Sequence, residues 1–164
     1  MTNRKTLTSR GAQIGIAFGL VAAVPTAGIA KPDPFVGTWI LNLAKSTFSP
    51  GPAPKNQTAV YAAVEGGYRV TATGIDGEGK PIKTEYTAKF DGKDYPVTGS
   101  ADYDAVTLKR VDPHSIEFTR KKAGQVVQTG TIVVSTDGKT RTVTVDGTNS
   151  GRVKVHNVSV YDRK

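Results

Sequence analysis

Three arginines stand at the ends of rows in which apolar residues alternate with polar ones. Val106 and Leu108 lead to Arg110, Ile116 and Phe118 lead to Arg120, and Val145 and Val143 lead back to Arg141. A guanidinium on the dry face of a sheet is costly to bury unless an anion pairs with it, so each is a candidate contact for the acidic group of a ligand. The alternative is that each stands at a strand end and bends its head into water over an apolar stem. Hairpin order puts Arg110 and Arg141 near one rim and Arg120 toward the other, so the three cannot form one clamp. Tyr86, Phe90 and Phe118 share the dry faces, with Tyr68 and Tyr161 as further candidates. Such rings either line a pocket or fill the core.

Other chemistry finds little to stand on. The chain has no Cys and two His, which excludes thiol catalysis, thiolate zinc sites and a disulfide framework. It carries no G-x-S-x-G, no G-x-x-x-x-G-K and no H-E-x-x-H pattern. His114 follows Asp112-Pro113 in a turn, and His156 is too far from it in sequence to suggest paired ligands. Asp102 and Asp104 flank Tyr103 and would point the same way in extended chain, a geometry open to acid–base work but also that of a solvated loop. The expectation is a protein that is not an enzyme and uses no metal or cofactor.

Charge and targeting narrow the setting. Among 164 residues there are 22 Lys plus Arg against 14 Asp plus Glu. Arg4, Lys5 and Arg10 precede a largely apolar, uncharged stretch from Gly11 to Val24, and Gly28-Ile29-Ala30 offers small residues where a signal peptidase reads. The pattern predicts a Sec-type signal peptide, residues 1–30, cut after Ala30, and a mature domain, 31–164, in the periplasm or outside the cell. An uncleaved anchor helix is the alternative, though the apolar stretch is shorter than the ~20 residues a bilayer requires. Cutting there leaves 19 basic against 14 acidic residues, a surplus of five, with no run of five like charges. That argues for solubility and against nucleic-acid binding. No membrane span is expected in the mature chain.

The elements that must position these residues are strands. From residue 35 onward the hydrophobic period is 2, and turns such as Glu65-Gly66-Gly67, Asp76-Gly77, Asp91-Gly92, Asp137-Gly138 and Asp146-Gly147 recur at hairpin spacing. The reading gives about ten strands, at 35–43, 57–64, 68–75, 81–90, 93–98, 104–110, 115–122, 125–136, 139–146 and 152–161. A one-sided meander of that length leaves two long edges unless it closes, so the predicted fold is all-β, a single antiparallel meander barrel of 8–10 strands. In the last strand Val153 and Val155 fall on one face and Val158 and Val160 on the other, which predicts a bulge near His156-Asn157.

The mature chain opens Phe35-Val36-Gly37-Thr38-Trp39. That F-V-G-T-W opening resembles the first strand of fatty-acid-binding proteins, and its G-x-W core resembles that of lipocalins. Together with the length, the stretch TEYTAKFDGKDYPV and the ending Val160-Tyr161, it makes the chain similar to exported bacterial lipocalin-like members of the calycin superfamily. The resemblance implies a closed barrel with Trp39 plugging one end, Gly37 permitting close packing there, and a small apolar or amphipathic ligand inside. Two departures stand out. Ala44 to Asn56, with its Ser49-Pro50-Gly51-Pro52-Ala53-Pro54, is too short and too proline-rich for a helix-turn-helix lid. Ser159 occupies the place of the arginine that precedes the C-terminal tyrosine in fatty-acid-binding proteins.

The candidate ligand-binding residues are therefore Tyr86, Phe90, Arg110, Phe118, Arg120, Arg141 and Tyr161, with Gly37 and Trp39 structural. The alternative is a structural or protein-interaction module of the cell envelope, its interior filled and its contacts made by a rim loop such as Ser46 to Lys55, with the protein partner unspecified.

Overall fold

A computed structural model describes residues 32–164. The predicted signal peptide, residues 1–30, lies outside the described residues. Eleven strands follow in order: β1 (Gly37–Leu41), β2 (Thr47–Ser49), β3 (Asn56–Val64), β4 (Gly67–Ile75), β5 (Pro81–Lys89), β6 (Tyr95–Thr98), β7 (Ala105–Asp112), β8 (Ser115–Lys122), β9 (Gln125–Val134), β10 (Thr140–Thr148) and β11 (Lys154–Arg163). From β3 to β11 each pairs antiparallel with the next. β1 pairs with both β3 and β11, which closes a ten-strand ring. The fold is thus the closed all-β meander barrel the sequence predicts.

The eleventh strand comes from the proline-rich connection. After β1 the chain makes one 3-10 turn over Leu43–Lys45, where the Asn42 side chain accepts from the Lys45 amide at 3.2 Å. β2 then pairs only with β11, through Thr47–Ser49 against His156–Val158, while β1 covers Leu41–Trp39 against Tyr161–Arg163. The wall opposite β11 is therefore shared by two short strands. No α-helical lid occurs among the described residues.

The predicted bulge at His156-Asn157 is absent. β10 and β11 stay in register from Thr140↔Asp162 to Thr148↔Lys154. The irregularities fall instead between Arg110 and Asp112 and between Arg120 and Lys121. The reason is that polar residues take inward positions on β11: Asn157 and Ser159 alternate with the outward Val158 and Val160, so the apolar phase breaks while the backbone does not.

Inward residues such as Val106, Leu108, Ile116, Phe118, Ile132 and Val134 are each at most 4% exposed. Burying a side chain of this kind stabilises the fold by roughly 1.5–3 kcal/mol. Small residues alternate with them. A Cβ added to Gly130 would meet the Thr144 carbonyl oxygen at 1.9 Å and the Phe118 ring at 2.6 Å, so glycine is what lets that ring lie flat inside the wall. Gly37 has φ +139°, and a Cβ there would meet the Arg163 guanidinium at 2.6 Å. The positive φ, rather than the contact with a movable side chain, is what requires glycine at this position.

Candidate functional site

The closed end of the barrel is held by a clasp built on Asp33, just before β1. Its carboxylate accepts from Arg110 Nη1 at 2.8 Å and Nη2 at 3.1 Å, from the Tyr68 hydroxyl at 2.6 Å and from the Phe35 amide at 3.0 Å. The Arg110 guanidinium also lies 5.1 Å from the Phe35 ring, 5.7 Å from Tyr68 and 5.3 Å from Phe90. Burial alone would raise the Asp33 pKa, but the hydrogen bonds from Arg110 and Tyr68 outweigh it and hold the carboxyl below its usual range. Burial and the adjoining carboxylate push the Tyr68 hydroxyl up. Two of the predicted ligand residues, Arg110 and Phe90, thus sit in this clasp, where Arg110 already has its anion. A hollow of about 1400 Å³ over this end is lined by Asp33 and Arg110 among others, groups already paired with one another.

Above the clasp, Trp39 is fully buried and its Nε1 donates to the Phe35 carbonyl at 2.9 Å. Arg163 lies 4.3 Å from the ring and donates to the carbonyls of Gly138 at 2.6 Å, of Val36 at 2.7 Å and of Pro34. Trp39 thus fills this end beneath a cation each of whose three nitrogens donates to a backbone carbonyl.

Arg141 is placed otherwise than a rim residue. It is 1% exposed, so its head does not reach water as the strand-end reading would have it. Its guanidinium lies 4.3 Å from the Tyr161 ring, 4.5 Å from Tyr61 and 5.3 Å from Trp39. Nε and Nη1 have no hydrogen-bond partner among the described residues. The Tyr161 hydroxyl donates to Gln57 Oε1. Burial raises the Tyr161 pKa, with the Arg141 charge pulling the other way.

Nearer the open end, Arg120 lies 4.4 Å from the Tyr103 ring and 4.6 Å from Phe118. Its Nη1 donates to Gln128 Oε1 at 3.0 Å, and Gln128 Nε2 donates in turn to the Thr148 carbonyl at 3.4 Å. Burial, then the neighbouring Tyr61 and Tyr103, push the Tyr86 hydroxyl well above its ordinary value, with Arg120 opposing. Of the predicted set, Tyr86, Phe118, Arg120, Arg141 and Tyr161 therefore share the barrel interior.

The open end holds a pocket of about 610 Å³, with Phe48, Pro52, Ile82, Thr84, Tyr103 and Gln128 among its walls. A volume of that size suits one small organic molecule. The proline loop belongs to this pocket: a Cβ on Gly77 would meet Pro52 at 2.6 Å, so the loop rests directly on the β4–β5 turn. The two acidic loop residues are engaged there, Asp102 accepting from the Ser150 amide at 2.8 Å and Asp104 from the Ala123 amide at 3.0 Å. His156 bonds Asp146 at 2.6 Å on the exposed outer face, and His114 Nδ1 lies 3.2 Å from the Val134 carbonyl.

Sequence reasoning missed Gln128, Tyr61, Tyr103 and Asp33. Gln128 was findable, since it shares the inward phase of Ile132 and Val134. Asp33 carries no signal, because it precedes the first strand and reaches Arg110 only through closure of the barrel.

No known family profile matches the chain, and no curated protein matches it. Among solved structures it is similar to a chain described as EF1p2_mFAP2b bound to DFHBI, at 13% identity over 80% of this chain and 94% of that one, with a TM-score of 0.45. A redesigned β-barrel, mFAP1, bound to DFHBI, matches at 16% identity over 79% and 95%, with a TM-score of 0.39.

Proposed function

We propose that the chain is a binding protein that takes a small amphipathic molecule into the open end of its barrel, acidic group foremost. The observation that carries this reading is Arg120. Its guanidinium points inward from a closed wall, and its one hydrogen-bond partner among the described residues is the amide of Gln128, itself a wall of the mouth pocket. A carboxylate brings an opposite charge and can take two parallel N–H bonds from a guanidinium, where the amide oxygen takes one. Gln128 stands where a ligand's acid would stand, and its own second bond, at 3.4 Å, is long enough to yield. Phe48 and Ile82 supply apolar wall for the rest of the molecule. No catalytic step is proposed.

Titration with 8-anilinonaphthalene-1-sulfonate, an anionic amphiphile that fluoresces when it leaves water, tests this. Saturable binding that weakens at least about tenfold in Arg120→Met is expected, a change of roughly 1.4 kcal/mol. A neutral naphthylamine should bind both proteins alike. Equal affinity of the anionic probe for the two proteins would overturn the acid-foremost reading.

Export belongs to the same proposal and is supported by the residue pattern of positions 1–30. Its test is the intact mass of the protein recovered from its own host, which should begin at Lys31.

A further inference from the structure

We infer that the occupant of the mouth pocket is a zwitterion, with a carboxylate at its inner end and an ammonium at its outer end, an inference that rests on the acid-foremost reading of the same pocket. Charge on the pocket walls points to the second end. Three carboxylates, Asp76, Glu78 and Asp102, line the pocket beside one ammonium, Lys80. Lys80 is paired with Glu78 at 2.6 Å. Asp76 and Asp102 have no cation within ion-pair distance among the described residues. Each offers one oxygen to a loop amide, Asp76 to that of Lys80 at 2.7 Å and Asp102 to that of Ser150 at 2.8 Å, which leaves both charges in place. A cleft lined by an excess of one sign concentrates the opposite charge. A ligand that is only an anion would sit beside two like charges, whereas one that trails an ammonium answers them.

A second observation points to a polar occupant independently of the acids. Thr84 and Tyr103 line the same pocket, each is only 9% exposed, and neither hydroxyl has a hydrogen-bond partner among the described residues. Hydroxyls so nearly buried are costly to leave unmatched, and a hydrocarbon guest would leave them so. A hydroxyl donates to a carboxylate and accepts from an ammonium, so both ends of a zwitterion suit them. Phe48 and Ile82 then face the carbon chain between the two ends.

Calorimetric titration with octanoate and 8-aminooctanoate tests this, since the two share an acid and a carbon chain and differ only in the outer ammonium. Hydrophobic burial alone would favour octanoate, because an ammonium holds its end of the chain in water. The expected result is the reverse, with 8-aminooctanoate binding wild type about threefold tighter or more, the size of one or two partly exposed charge pairs. The double variant Asp76→Asn, Asp102→Asn keeps an oxygen for each loop amide and should lose that preference. Where it fails to fold, wild type in about 0.5 M salt takes its place, and the preference should shrink there. Octanoate that binds wild type as tightly as its amino derivative, or a preference that survives both the double substitution and salt, would overturn the inference. Arg120→Met separates it from the reading beneath it. Octanoate weakened by that substitution, with no preference for the zwitterion, leaves the acid-foremost reading standing and removes this one, whereas no binding of either acid removes both.

Discussion

Arg110 and Arg120 are twins in sequence and opposites in the barrel. Each ends an apolar row and each lies among aromatic rings, Arg110 among Phe35, Tyr68 and Phe90 and Arg120 between Tyr103 and Phe118. Arg110 meets the carboxylate of Asp33 through two nitrogens, and Tyr68 completes the arrangement. Arg120 meets a neutral amide through one. Arg110 is thus neutralised within the closed end, while Arg120, toward the open end, meets no carboxylate among the described residues. The difference teaches that a row of alternating residues can place a charge inside a barrel but cannot say whether that charge serves the fold or a guest. What the head meets decides it, a carboxylate for Arg110, backbone carbonyls for Arg163 and a single amide for Arg120.

The largest expected effect is on the closed end. Trp39→Ala should cost about 3–5 kcal/mol of stability in denaturant unfolding, since it empties the plug. A loss below 1 kcal/mol would mean that the end is held by the clasp alone.

Next comes the clasp itself. Asp33→Asn should cost about 1–3 kcal/mol, because a largely covered guanidinium loses its anion. The Asp33 carboxyl gives up its proton more readily in the folded chain than in the unfolded one. Its contribution is therefore complete above the ordinary carboxylate value of roughly 4 and is lost as pH falls through the lower folded value. Unfolding curves taken across that window should steepen in wild type and lack this component in Asp33→Asn. Identical pH profiles would remove the clasp from the account of stability.

Arg120→Met should be nearly neutral for stability, since it removes a cation whose partner is only an amide, while it weakens the anionic probe as described above. If instead it destabilises as much as Asp33→Asn does, the two arginines serve the same purpose and the contrast collapses. The smallest effect belongs to the outer face, where Lys109 and Glu117 pair at 3.1 Å with side chains 71% and 51% exposed. Lys109→Ala should leave the unfolding midpoint within error, as exposed pairs contribute little.

Strand positions were legible because period-2 alternation and Gly-bearing turns are local signals, and β4, β5, β8 and β9 fall within a few residues of where the alternation places them. β2 was hidden by the prolines that follow it and by its length: Thr47–Ser49 is too short to show alternation, and only β11 makes it a strand. Arginines at the ends of inward rows were legible, but whether their heads turned inward or out to water was not. Arg141 lies one residue inside the start of β10, which reads as a rim, yet the register sets it against Tyr161 and Val134, deep beside the plug. The partners that define each site come from distant positions: Asp33 lies 77 residues from Arg110. Pairing over that distance is a property of closure, which no local pattern records.

The most direct test is native mass spectrometry of the protein purified without detergent from its own host, wild type beside Arg120→Met, followed by organic extraction. The expected result is a stoichiometric acidic amphiphile released from wild type and missing from the variant. A clean unliganded mass for wild type, or the same molecule retained by both, would contradict an open end built around Arg120 to receive an acid.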